Sequence, residues 1–216
     1  MALMNVNPTR MELTRLKKRL RTATRGHKLL KDKRDEMMRQ FVLLIRENAR
    51  LREEVEKALS AALGEFSMTS AVMEPAMLEE AVLYPARTVD LTIGSANIMS
   101  VDVPRISVDE ETLSETRLSY GFAQTSAQLD GAIQRLSDIL PDMIKLAEIE
   151  KTCNLLADEI EKTRRRVNAL EYVMIPDLQE TIRYITMKLD ENERGALTRL
   201  MKVKSMIAER NGQNAG

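Results

Sequence analysis

The sequence holds few of the residues that fill large globular cores. Among 216 residues there is no tryptophan, aromatic residues make up only 3%, and there are just 8 glycines and 6 prolines. Large cores draw much of their volume from aromatic side chains, so this composition favours a thin core spread along helices over a rounded domain. Methionine, present 14 times, suits such a core because its flexible thioether fills irregular helix seams.

Features of secreted and membrane proteins are also missing. The single cysteine, Cys153, excludes a disulfide within the chain and is typical of a reducing, cytosolic setting. No run of 18 apolar residues is present, so no membrane-spanning helix is expected. The opening residues lack the basic-then-apolar order of a signal peptide. We therefore expect an intracellular protein that does not insert into the membrane.

Residues and motifs that perform chemistry are scarce. His27 is the only histidine, so a histidine cluster cannot hold a metal ion. No glycine-rich phosphate loop, HExxH, CxxC or GxSxG motif occurs. Cys153 lies on an apolar helical face between Ile149 and Leu156, where a small buried hydrophobic residue is expected. We predict no catalytic, cofactor-binding or metal-binding residue and no cofactor.

Charge is unevenly distributed although the formal net charge is zero. Residues 1–40 hold 12 Lys/Arg against 4 Asp/Glu, whereas residues 58–160 hold 6 against 17. Residues 41–57 balance at 4 and 4, and residues 161–216 are mildly basic at 11 against 8. Both ends of the chain are therefore basic and its middle is acidic.

A long coiled-coil helix is predicted over the N-terminal third of the chain. Asn7 supplies a cap and Pro8 a first-turn proline, with a capping box at Thr9 and Glu12. Apolar residues then recur in alternating steps of three and four, which is the pattern of a coiled-coil seam. The seam residues expected to pack are Leu13, Leu16, Leu20, Leu30, Met37, Phe41, Leu44, Leu51 and Val55.

A second coiled-coil helix is predicted from about Pro141 to Arg210. Near Met174 three successive steps of four form a stutter, which locally unwinds a supercoil. Pro176 lies in the stutter, and we expect it to bend the helix without ending it. The seam residues expected to pack are Leu156, Ile160, Val167, Leu170, Leu178, Ile182, Ile185, Leu189, Leu200 and Val203.

The stretch between the two helices has a different pattern. Leu83 to Val108 is rich in β-branched residues with period-two alternation. A short hairpin is predicted from Val89 to Val103, with Gly94–Asn97 separating its two strands. Residues 125–140 are expected to form a shorter helix. The predicted fold class is mainly α, a long antiparallel two-helix coiled coil with this small block between the helices. The segments are 1–80, 81–140 and 141–216, the last ending in a disordered tail, within one elongated domain.

An antiparallel pairing of the two helices allows a register to be predicted, although a shift of one turn also fits many of the apolar pairs. His27 is placed opposite Asn192, so that two polar interruptions share a layer. Flanking charges are expected to fix orientation and register. The remaining predicted neighbours are Leu30 with Leu189, Phe41 with Leu178, Leu51 with Val167, and Arg164, Arg165 and Arg166 with Glu53, Glu54 and Glu56.

A basic cluster near the N-terminus permits several interpretations. It could contact phosphate backbones, solubilise a helix face, or steer the basic end into a cavity of another protein. Nucleic acid is disfavoured, because no aromatic residues interleave with the charges and the middle of the chain is acidic. The candidate contact residues are Arg10, Arg15, Lys17, Lys18, Arg19, Arg21, Arg25 and Lys28, with Lys202 and Lys204 beside them.

Three segments carry a resemblance to a known family. NVNPTRMELTRLKKRL and ATRGHKLLKDKRDEM near the start, and EIEKTRRRVNALEYVMIPDLQETIRYITMKLDENER near the end, resemble the D subunit of the V-type and A-type ATPases. The match covers both long helices, and the middle block is its least diagnostic part.

The resemblance implies a rotor shaft that carries no active site. Its two ends would enter a hexamer of catalytic and non-catalytic subunits, where ATP is hydrolysed, and its other end would join the membrane rotor ring through a connecting subunit. The small F subunit would bind along the shaft. Alternative interpretations are a free-standing coiled-coil tether or chaperone-like rod and, less favoured, a nucleic-acid-binding helical protein.

Overall fold

The computed structural model describes residues 6–85, 89–108, 120–121 and 125–213. It confirms the predicted fold class, since long N-terminal and C-terminal helices pack together and a small antiparallel hairpin lies between them in the sequence. The elements are α1 (Arg10–Val72), α2 (Pro75–Val82), β1 (Leu91–Ile98), β2 (Val101–Val108), α3 (Ala127–Ala169), a π-helical segment (Leu170–Met174) and α4 (Ile175–Gln213).

The chain forms two compact units. The terminal unit combines Met1–Arg34 with Lys162–Gly216, and the middle unit is Asp35–Glu161. Helices α1 and α3 each cross a boundary between these ranges. Each helix therefore contributes one stretch to the terminal unit and another to the middle unit.

Helix α1 begins two residues later than Asn7 and Pro8 suggest. The Oγ1 atom of Thr9 accepts a hydrogen bond from the Glu12 amide at 3.3 Å, and the Leu13 amide donates to the Thr9 carbonyl at 3.0 Å. The first contact satisfies an amide of the first turn that has no carbonyl partner within the helix, and the second is the first backbone hydrogen bond of the helix. Thr9 is therefore the capping residue, and the prediction of Asn7 as the cap is wrong.

The core of the terminal unit lies between the first third of α1 and α4. Leu16 and Ala23 on α1 are buried with Leu178 and Ile185 on α4. The members of each pair are one heptad apart, so they fall on the same helix face. Half-buried side chains that pack against this core are Leu13, Leu20, Leu170, Ile175, Ile182 and Leu189.

The core of the middle unit crosses a proline in α3. Val55 and Ala62 of α1 are buried with Ile139 of α3. The helix continues through Pro141, so a separate short helix ending at residue 140, as the sequence indicated, does not form. Leu136 and Leu146 pack against this core from both sides of Pro141, and this burial offsets the backbone hydrogen bond that proline removes.

A second cluster of the middle unit includes α2. Met73, Ala81 and Leu129 are buried together, which places the short helix α2 against the start of α3. Among the residues packed against the cluster is Tyr120, whose hydroxyl donates to Asp130 at 2.6 Å. Burial, reinforced by this carboxylate, raises the pKa of Tyr120.

The hairpin turns at a different place from the one predicted. Gly94–Asn97 belongs to β1 and pairs with Asp102–Arg105 of β2. The turn is Met99–Ser100, with φ angles of 52° and 71°, an arrangement that usually selects asparagine and glycine. Asn97 supports it from the end of β1, since its Oδ1 accepts the Ser100 amide and its Nδ2 donates to Asp102. This side-chain support is what the strand pattern alone did not reveal.

We expect Leu178→Ala to lower the free energy of unfolding by about 3 kcal/mol, because truncating a buried leucine leaves a cavity in the seam. The matched control is Met187→Ala on the same helix, where the side chain is 55% exposed. Its effect should stay within about 0.5 kcal/mol. Urea unfolding followed by circular dichroism measures both. Equal effects of the two substitutions would contradict the assigned core.

Candidate functional site

Two polar contacts define how the helices of the terminal unit align. Arg10 Nη2 lies 3.3 Å from Glu193 Oε1, and His27 Nε2 lies 3.3 Å from Glu171 Oε2. Residue numbers rise along α1 while those of its partners fall, so the helices are antiparallel. The side chain of His27 is only 19% exposed, whereas that of Arg10 is 79% exposed. His27 therefore provides the partly buried polar contact of the seam.

The predicted register is wrong. It placed His27 opposite Asn192 and Leu178 beside Phe41, whereas His27 contacts Glu171 and Leu178 is buried with Leu16 and Ala23. The difference is about six helical turns. A whole number of turns returns the same helix face to the partner, so the apolar pattern fits both registers. The polar partners distinguish them.

The stutter at Met174 is a π-helical segment. The Ile175 amide donates to the Leu170 carbonyl, five residues back, which inserts one extra residue into the turn. Leu170 and Ile175 consequently both pack on the core, while Met174 is 40% exposed. Pro176 follows directly and lacks the amide that an α-helical turn would require here. The helix continues past Pro176, and Ile175 takes the seam position that the sequence pattern assigned to Met174.

The acidic residues expected beside Arg164–Arg166 pair with basic residues of their own helix. Glu53 binds Lys57 at 2.6 Å, and Glu54 and Glu56 lie 3.8 Å and 3.0 Å from Arg50 and Arg52. Arg52 also reaches Glu150 of α3 at 3.4 Å. The predicted pairing of Arg164, Arg165 and Arg166 with these glutamates stays a prediction. These three arginines are exposed on α3.

Most of the predicted seam residues are buried or half-buried, and two are not. Leu200 is 65% exposed and Val203 is 51% exposed. The buried or half-buried residues are Leu13, Leu16, Leu20, Leu30, Met37, Phe41, Leu44, Leu51, Val55, Leu156, Ile160, Val167, Leu170, Leu178, Ile182, Ile185 and Leu189.

The exposure of Leu200 and Val203 follows from the observed register. Since α1 begins at Arg10 and Arg10 pairs with Glu193, α4 extends past the start of α1. We call residues 194–213 the C-terminal overhang; at 1.5 Å per residue it is about 30 Å long. Besides Leu200 and Val203, its exposed large apolar side chains are Leu197, Met201, Met206 and Ile207.

The basic candidates are all exposed but do not form one cluster. Lys202 and Lys204 lie on the overhang, about 14 Å or more past the level of Arg10, so the prediction that they lie beside the α1 cations is wrong. Arg10 and Arg15 pair with Glu193 and Glu12. Among the described residues, no ion pair involves the six remaining candidate cations on α1: Lys17, Lys18, Arg19, Arg21, Arg25 and Lys28.

Cys153 is buried in the middle unit. Burial raises the pKa of its thiol, and the nearby Glu150 acts in the same direction, whereas a side-chain hydrogen bond with Asn48 opposes the shift. A raised pKa keeps the sulfur protonated and unreactive at neutral pH. Within the residues described, no three metal-binding side chains lie together, and no helix has the length and apolarity that crossing a membrane requires.

The fold is that of an antiparallel coiled-coil protein, and comparisons with known proteins place it in a family. A family model for the ATP synthase D subunit matches residues 12–205. The D subunit of the V-type ATP synthase of Clostridium botulinum strain Langeland is 59% identical, over 96% of this chain and 97% of the relative. The Clostridium novyi protein of the same name is 58% identical over the same shares, and that of C. botulinum strain Alaska E43 is 57% identical over 97% and 100%. The chain therefore belongs to the family of ATP synthase D subunits.

The observed register can be tested with engineered cysteines in a Cys153→Ala background, which has no other thiol. We expect the pair His27→Cys and Glu171→Cys to be joined within one chain by a short bismaleimide, because the native side chains touch at 3.3 Å. The control pair is His27→Cys with Asn192→Cys. Peptide mass spectrometry identifies the bridge. Efficient bridging of the control pair without the first would show that the helices align differently.

Proposed function

We propose that this chain is the central stalk subunit, or rotor shaft, of a V-type or A-type rotary ATPase. It transmits torque between an ATP-hydrolysing hexamer and the ion-translocating membrane rotor, and it is itself non-catalytic. Membership of the family of ATP synthase D subunits supports the assignment of this chain to a rotary ATPase complex. The antiparallel pairing of two long helices supports the mechanical role, since each helix stiffens the other along the seam.

The C-terminal overhang is the observation that carries the proposal. Its apolar side chains continue the seam of α4 past the start of α1, and Leu200, Val203 and Ile207 are between 51% and 65% exposed. Exposed apolar stripes of this kind mark surfaces that a partner covers. We assign the hexamer as the partner, with the overhang inserted into its central cavity.

The unpaired cations of α1 provide a second contact in this proposal. The six exposed Lys and Arg side chains between Lys17 and Lys28 form no described ion pair, so their charges are available to acidic groups of the hexamer. Such charges mainly accelerate and orient association, whereas the apolar overhang supplies the buried area. The terminal unit would thus combine an apolar end with a basic flank.

Torque transmission requires that the two helices turn together. In the terminal unit, α4 is held to α1 by the buried core and by the contacts of Arg10 with Glu193 and of His27 with Glu171. A rotation of one helix about its own axis would expose Leu178 and Ile185. The unequal faces of the pair would favour a different nucleotide state at each catalytic site, which is the coupling a rotary motor needs.

The remaining partners are assigned from the family. We place the connecting subunit of the membrane rotor at the end of the middle unit, where Met68, Val72 and Leu83 are 68–73% exposed. The small F subunit would bind along the paired helices. The complex would lie on the cytoplasmic side, with this chain peripheral to the membrane, needing no cofactor and no nucleic acid.

The overhang's role is tested by the double substitution Leu200→Asp and Val203→Asp in the complete complex. Both positions are exposed, so folding should be unchanged while insertion of two carboxylates into an apolar contact weakens association with the hexamer. We expect binding to fall at least about tenfold, with loss of coupled ion transport. Co-purification with the hexamer and ATP-driven ion uptake into vesicles measure the two effects.

Leu43→Asp serves as the matched control, because Leu43 is 58% exposed but belongs to the middle unit. It should retain hexamer binding. If the double variant binds the hexamer as tightly as the native chain, the overhang is not the contact and the assignment fails.

A further inference from the structure

One described backbone amide of the hairpin donates a hydrogen bond to α3. Within the middle unit, the Ile106 amide donates a hydrogen bond to Glu148 Oε2 at 2.9 Å. Ile106 also pairs with Ile93 in the ladder. Successive amides of a strand point in opposite directions, so the Ile106 amide points away from β1 while those of Val103 and Arg105 point toward it. The outer edge of β2 therefore faces α3.

Pro104 makes this attachment specific. Like that of Ile106, the backbone nitrogen of Pro104 lies on the outer edge of β2, but proline has no amide hydrogen to donate. Pro104 pairs with Ser95 of β1. Because its nitrogen points away from β1, the proline removes no hydrogen bond between the two strands. Ile106 is consequently the central donor of the outer edge, and Glu148 is positioned to accept from it.

The rest of the attachment is sparse. Val103, at 3% exposed, is the one buried side chain among the described hairpin residues. A cleft of about 300 Å³ lies between the hairpin and the helices, and its lining includes Ala96, Ile98 and Val103 of the hairpin and Leu44 and Ile149 of the helices. A surface with such a gap forfeits much of the packing energy of a closed core. Among the described residues, one fully buried side chain and one charge-assisted hydrogen bond thus hold the hairpin, beside half-buried side chains such as Ala96, Ile98 and Pro104.

The hairpin has internal contacts that do not depend on α3. Asn97 Nδ2 donates to Asp102 Oδ1 at 2.7 Å, and the Ser100 amide donates to Asn97 Oδ1 at 3.0 Å. Farther along the ladder, Ser107 Oγ donates to the Thr92 carbonyl at 3.2 Å. These bonds join β1, β2 and their turn, so the two strands can stay paired when the contact with α3 breaks.

We propose that the hairpin is a releasable strap, and that Glu148 is the latch that holds it against the helices. In the docked state Glu148 binds the Ile106 amide and Val103 is buried. In the released state the strands remain paired, and Val103 and the cleft beneath it become accessible to solvent or to a partner. This inference rests on contacts inside the middle unit and does not depend on the proposed function.

The test is residue-resolved amide hydrogen exchange on the full chain with Glu148→Ala, Glu148→Gln and the control Glu150→Ala. Glu150 lies on the same helix but pairs with Arg52 rather than with the hairpin. We expect Glu148→Ala to accelerate exchange at the Ile106 amide about tenfold, the effect of losing a hydrogen bond to a charged acceptor. Glu148→Gln keeps an acceptor without its charge and should give a smaller increase.

The ladder amides distinguish release from unfolding. In Glu148→Ala, the inward-facing amides of Val103 and Arg105 should keep their protection while that of Ile106 loses it, and Glu150→Ala should change none of them. Unchanged exchange at Ile106 in Glu148→Ala would overturn the latch. Equal loss of protection at Val103, Arg105 and Ile106 would overturn the strap proposal, because the two strands would then be unfolding rather than detaching from the helices as a pair.

Discussion

The terminal unit depends on a contact between the two ends of the chain. Leu16 and Ala23 of α1 pack against Leu178 and Ile185 of α4, although about three quarters of the chain separates them. Closing so long a loop costs conformational entropy, but the cost grows only slowly with loop length. A seam of apolar side chains offsets this entropic cost, since each large side chain fully removed from water contributes roughly 1.5–3 kcal/mol. Without this contact, neither helix end has a described partner.

Polar residues give that seam its alignment. An apolar seam tolerates displacement by whole turns, and a buried polar group at one position penalises every register in which it finds no partner. His27 has Glu171 in the observed register. The π-helical segment next to Glu171 then shifts the phase of α4, so that Ile175 and Leu178 both continue the seam. The same alignment leaves the overhang of α4 uncovered. The surface proposed to contact the hexamer is therefore exposed because His27 pairs with Glu171.

Periodicity in the sequence predicted the two long helices, but it did not predict their register, which depends on individual contacts. Steps of three and four residues sufficed for both long helices, because a seam pattern reports directly which face is buried. They could not supply the register, since Asn192 and Glu171 are both plausible partners of His27 in sequence. The overhang was missed for the same reason, and Leu200 and Val203 consequently looked like seam residues.

Local chemistry explains the other differences. The continuity of α3 through Pro141 depends on burial of Leu136 and Leu146 on both sides of it, which no local pattern shows. The position of the hairpin turn depends on Asn97 reaching the Ser100 amide and Asp102. The attachment of the hairpin by Glu148 left no sequence signal, because an isolated glutamate on a helix is ordinarily a solvated side chain.

A double-mutant cycle on Leu16→Ala and Ile185→Ala tests most directly whether the two ends of the chain hold each other. Both side chains are at most 4% exposed and belong to one cluster. Neighbouring core residues typically couple by about 1 kcal/mol, so the double variant should lose less stability than the two single losses added together, by about that amount. Losses that add to within about 0.3 kcal/mol would show that the two side chains do not share a core, and the helix pairing described here would be wrong.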